Sequence, residues 1–64
     1  MRDKINKKME EYKVSFGDLA KMLNISKQTL TKKVQGEMDW TFPEMEKLME
    51  VFHIEDPQEF FFSA

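Results

Sequence analysis

The stretch Ser15–Gly36, SFGDLAKMLNISKQTLTKKVQG, decides how this chain folds. It holds two helix starts separated by a tight turn. Ser15 is an N-cap, and Asp18, three residues on, is the acidic partner of a capping box. Val14 before it can staple to Leu19. Phe16, Leu19, Ala20 and Leu23 then fall on one helical face. Asn24 stands where a left-handed C-cap is wanted, a conformation that Asn tolerates. Ser26 caps the next helix, with Ile25 and Leu30 as its staple. Leu30 and Val34, four apart, form an apolar edge. Gln28, Lys32 and Gln35 lie opposite, with Thr29 and Thr31 on the flanks, and Gly36 ends the helix.

The helix after Ser26 starts differently from the others. Its first residue is Lys27, and Thr29 stands where a capping box wants Glu or Gln. A cation there opposes the helix dipole, at a cost of about 0.3–1 kcal/mol. The other caps have their acids at Asp18, Glu44 and Glu59. A helix start with a cation and no carboxylate suits an external anion better than its own stability, and local rules broken without local compensation mark function.

Working outward, Ile5, Met9 and Tyr12 recur at helical spacing and predict a helix over 3–12 capped by Asp3. Thr41, Pro43 and Glu44 open a helix with cap, proline in the first turn and capping box, and Trp40 as staple. Met45, Leu48, Met49 and Phe52 give it an i, i+3, i+4, i+7 stripe, and His53 lies near its C-terminus. Asp56-Pro57-Gln58-Glu59 starts a last short helix. No segment alternates as a strand does. The expectation is an all-α fold: one domain over residues 1–64, a compact bundle of five short helices with a helix-turn-helix at about 15–36.

Composition narrows the function. A chain of 64 residues has room for one small core, and with no Cys it has neither a disulfide framework nor a thiolate metal site. Two Gly and two Pro are too few for a phosphate-cradling glycine loop. The six Met read as adaptable core filler, and Tyr12 and Trp40 as core or staple residues. No apolar run approaches a membrane span, and MRDKINKK leads into no apolar segment of the secretory kind, so the expected location is cytoplasmic. Net charge is −2, but residues 1–35 carry nine Lys/Arg against four Asp/Glu (+5), and residues 36–64 one Lys against eight acids (−7). Such asymmetry between halves points to a polyanion-binding face.

The string Ser15–Gly36 resembles the lambda-repressor-like, XRE-type helix-turn-helix family, and the tail from Asp56-Pro57 to the Phe run looks most like its small phage regulators of the Cro-like kind. The features that carry the resemblance are Ser15, Leu19-Ala20, Leu23, Ile25-Ser26, Lys27-Gln28 and Gln35-Gly36, and the likeness extends over about residues 3–60. The chain departs from the family's habit at Phe16, at Asn24 in place of the turn Gly, and at Glu37 and Asp39 after the helix-turn-helix. The resemblance implies a sequence-specific transcriptional regulator, a phage-type repressor, in a prokaryotic or phage-infected cell. It would bind a double-stranded DNA operator by placing the helix at 26–35 in the major groove. Base contacts would come from Lys27, Gln28, Thr31 and Lys32: Gln pairs bidentately with adenine, Lys donates to the guanine edge, and Thr meets a thymine methyl. Backbone contacts would come from Ser15, Phe16, Ser26, Thr29, Lys33 and Gln35.

Phe60-Phe61-Phe62 cannot all face one small core, because successive residues point to different faces. With half-sites usually read by dimers, this run is the expected homodimer contact on DNA; the alternative is that two Phe close the core and one is simply exposed. The alternative function is a protein-interaction module on the same scaffold, antitoxin-like or binding an anti-repressor, supported by the acidic second half and the surplus Phe. An enzyme is not expected: there is no Ser/Cys–His–acid set and no metal-ligand spacing, and no cofactor is implied.

Overall fold

The computed structural model describes residues 1–62, which form five helices: α1 (Arg2–Tyr12), α2 (Phe16–Leu23), α3 (Lys27–Val34), α4 (Phe42–Phe52) and α5 (Pro57–Phe62). The all-α expectation holds. α2 packs on α3, and α4 packs on both α1 and α2. One core joins them: Ile5 from α1, Leu19, Ala20 and Leu23 from α2, Leu30 and Val34 from α3, Leu48 and Phe52 from α4, and Ile54 beyond it. All but Ile54 are apolar positions that helical spacing singles out, whereas Met9, Tyr12, Phe16, Met45 and Met49 of the same stripes are only half-buried.

Local chemistry sets the boundaries. The Ser15 Oγ accepts from the Asp18 N–H at 3.1 Å, the Ser26 Oγ from Thr29 at 3.1 Å, and the Asp56 carboxylate from Glu59 at 3.2 Å. At Thr41 the capping box closes both ways, with the Glu44 carboxylate accepting from the Thr41 N–H at 2.8 Å. Asp3, however, is not the cap of α1. The helix begins one residue earlier, with Met1 at the cap position and Asp3 in the first turn, where its charge still favours the dipole.

The four longer helices end alike. Lys13, Asn24, Gly36 and His53 all take positive φ, at 55°, 59°, 84° and 51°. Glu37 N–H returns to the Lys32 carbonyl at 2.8 Å and Ile25 N–H to that of Ala20 at 3.0 Å, the long bond that closes a helix end around a left-handed residue. Only one of the four positions is Gly. α1 thus stops at a left-handed Lys13. Asn24 turns the chain so that Ser26 can cap α3 directly.

The methionines are not core filler. Met1, Met9, Met45 and Met49 sit half-buried at the rim, and Met22 and Met38 are exposed. Branched and aromatic side chains hold the interior, and the flexible thioethers are left to its edge. Tyr12 and Trp40 pack against the core as partly buried rings. Among the described residues no helix is long and apolar enough to cross a membrane.

Candidate nucleic-acid interface

α3 has two sharply different sides. Leu30, Lys33 and Val34 are buried, whereas Gln28, Lys32 and Gln35 are exposed, and Thr29 and Thr31 are half-buried between them. Among the described residues no side-chain hydrogen bond or ion pair occupies Gln28, Lys32 or Gln35. Ser26 and Thr29 are tied together: the Ser26 Oγ also donates to the Thr29 Oγ1 at 3.0 Å. The Thr31 hydroxyl donates to the Lys27 carbonyl at 2.9 Å, which uses its proton within the helix and leaves its methyl and lone pairs to meet a ligand.

Lys27 is exposed, and its chain lies back over the first turn of α2. A Cβ at Gly17 would stand 3.0 Å from the Lys27 Cε and 3.5 Å from its Nζ. The missing side chain at Gly17 gives the lysine its path. The ammonium thus lies by the first turn of α2 while its backbone opens α3. One lysine thus lies at two serine-capped helix starts. Among the described residues no carboxylate pairs with Lys27 or Lys32.

Phe16 is half-buried against the core, and its ring lines a hollow of about 360 Å³ together with Arg2, Asn6, Thr31, Val34 and Gln35. Arg2 and Asn6 are exposed residues one turn apart on α1. They were not among the residues expected from sequence. Their four-residue spacing says that they share a face, but only the packing of α1 shows that this face adjoins α3.

Lys33 departs from expectation. It was assigned to the DNA backbone, but it is 4% exposed and its ammonium is bound inside the protein. It donates to the Glu44 Oε1 at 2.5 Å and to the Asp39 carbonyl at 3.1 Å. Lys33 neighbours Val34 on the helix and shares its inward side, so the long aliphatic stem follows the core to reach α4. Glu44 is itself 8% exposed. Burial by itself would raise its carboxyl. The Lys33 hydrogen bond, the Thr41 N–H, the Lys33 charge and the Thr41 hydroxyl together outweigh that and hold it below its ordinary value.

In α5, Phe60 and Phe61 pack against the core and Phe62 is 71% exposed. Phe61 meets Trp40 edge-on at 6.4 Å between ring centroids, and Lys4 donates to the carbonyls of Glu59 and Phe60 at 2.9 and 3.1 Å. Trp40, Met38, Met45, Phe61 and Phe62 line one mainly apolar hollow. A second hollow, of about 450 Å³, has mixed charge from Lys4, Lys8, His53, Glu55, Asp56 and Glu59. Among the described residues no three His, Cys, Asp or Glu cluster as metal ligands would.

Residues 4–61 match the family model for the Cro/C1-type helix-turn-helix DNA-binding domain. No curated protein and no solved structure matches the chain. The match covers the helix-turn-helix, the scaffold helix α4 and most of α5, and the fold and the cap pattern agree with it. It supports a DNA-binding regulator, and a family whose members typically bind rather than catalyse. The chain belongs to the Cro/C1-type helix-turn-helix DNA-binding domain family.

Proposed function

We propose that this regulator is a sequence-specific repressor of the phage type that reads duplex DNA with the outward face of α3 in the major groove. The observation that carries this reading is the exposed Gln28–Lys32–Gln35 face beside Lys27, which lies across two capped helix starts with no carboxylate partner among the described residues. Gln28 and Lys32, one turn apart, have the donor and acceptor groups to read base edges. Lys27 serves a base or phosphate at the helix head, and Thr31 offers its methyl to thymine. Ser15, Phe16, Ser26, Thr29 and Gln35 border the backbone. Arg2 and Asn6 join this border, because they share a hollow with Phe16, Thr31 and Gln35. Lys33 does not.

Selection from random duplex DNA at two salt concentrations tests the reading. A consensus should emerge, and affinity should fall steeply with salt as phosphate contacts release counterions. Failure to enrich any sequence, with binding to all duplexes equal, would remove base reading.

Two copies on DNA would meet through Phe62 and the apolar hollow beside it. A protein-interaction role on the same scaffold is the second reading, favoured by the exposure of Phe42 (69%), Phe62 and Met38. A protein partner captured with no gel shift on any selected duplex would favour it over the first.

A further inference from the structure

α3 is held by few side chains. It has eight residues, and Leu30, Lys33 and Val34 are its buried ones. Leu30 and Val34 lie on one line, one turn apart, so they hold the helix along a single edge. Lys33 lies about 100° round the helix from Val34, as consecutive helical residues do. Its ammonium ends on the Glu44 carboxylate of α4 and on the Asp39 carbonyl of the connecting loop. The same Glu44 oxygen accepts from the Thr41 N–H, which fixes the carboxylate to the start of α4. Two buried charges with directional bonds thus join the reading helix, the loop after it and the scaffold helix at one point.

A buried ion pair is weak evidence of stability, since desolvation offsets its attraction. Its effect lies elsewhere. An apolar side chain can slide, but an ammonium held between a carboxylate and a carbonyl cannot leave them without exposing an uncompensated charge to the interior. We propose that Lys33 and Glu44 are a positioning pair that fixes the roll of α3 about its own axis, and with it the direction in which Gln28, Lys32 and Gln35 face. The consequence for recognition rests on the DNA-reading role proposed above. The consequence for α3 itself does not.

The test is the double variant Lys33→Met/Glu44→Gln. Met fills the volume of the lysine stem, and Gln keeps the capping bond to the Thr41 N–H. Replacing both partners avoids the uncompensated buried charge that removing one of them leaves. Amide exchange in the free protein should show faster opening of residues 27–34, with α1 and α2 protected as before. Affinity for random duplex should stay the same, and preference for the selected site should fall roughly tenfold, the equivalent of one misread base pair. Unchanged exchange across α3 overturns the proposal whatever the DNA result, and so does a folded variant with wild-type site preference. If the wild type shows no site preference at all, the DNA reading fails and exchange alone decides the pair. Should the double variant not fold, Glu44→Gln alone takes its place. Loosening confined to α3 and the loop 35–40 then supports positioning, and loosening spread evenly over all helices overturns it.

Discussion

In the proposed reading of DNA, Gln28 is the residue on which base recognition would turn. It is exposed at the head of α3, with a side chain that presents donor and acceptor together. Gln28→Ala should cost about 1–3 kcal/mol on the selected site and relax one base position, as measured by titration against a panel of single-base variants. An equal loss on random duplex would mean that the residue serves the backbone instead. Arg2 should behave in the opposite way. Arg2→Ala is expected to weaken binding evenly across sequences and to lower the slope of log affinity against log salt by about one. Both assignments concern exposed side chains, yet they differed in legibility. Gln28 is visible from its place after a cap, whereas no local pattern reveals that Arg2 lies beside α3.

At the scale of elements, the structure is governed by how each helix starts and stops. Ser15, Ser26, Thr41 and Asp56 cap as their side chains predict, because a cap is a contact within four residues. The stop of α1 is costlier. Lys13 holds φ 55°, a conformation that costs an ordinary residue about 1–2 kcal/mol. Lys13→Gly should therefore raise stability by about 0.5–1 kcal/mol after the added freedom of the unfolded chain is deducted, a rise of several degrees in the melting midpoint. The junction of α3 and α4 carries a pH dependence. The Glu44 carboxyl lies below its ordinary value in the folded chain, so the folded state holds its proton less tightly than the unfolded state. Its contribution is complete above the ordinary carboxylate range and is lost as pH falls through the lowered value. Denaturant unfolding from neutral pH downward should show wild type losing stability relative to Glu44→Gln, with the gap between them narrowing in acid. A gap independent of pH would remove the carboxylate as its cause.

For the molecule as a whole, the open question is how two half-sites would be spanned. Phe60 and Phe61 close the core while Phe62 stays exposed beside an apolar hollow. If that surface joins two copies, Phe62→Ser should leave the melting midpoint nearly unchanged and abolish cooperative occupation of paired half-sites in a gel shift. A single half-site should bind as before. Retained cooperativity would place the dimer contact elsewhere. The charge asymmetry of the sequence does not transfer to the fold intact, since Lys33 of the basic half and Glu44 of the acidic half neutralise each other inside. A tally of charges along the chain cannot distinguish a solvated lysine from a buried one.

The sequence by itself determined the five helices, the N-caps of α2 to α5, the helix-turn-helix and the outward side of α3, because each follows from contacts between residues three or four apart. It also marked the start at Ser26 as the one without an acid. Tertiary structure alone decided three matters. It turned Lys33 inward to Glu44, set Lys27 across Gly17 onto α2, and brought Arg2 and Asn6 alongside α3. Each depends on which helix lies against which. Helical period states that residues share a side, but only packing states what that side meets.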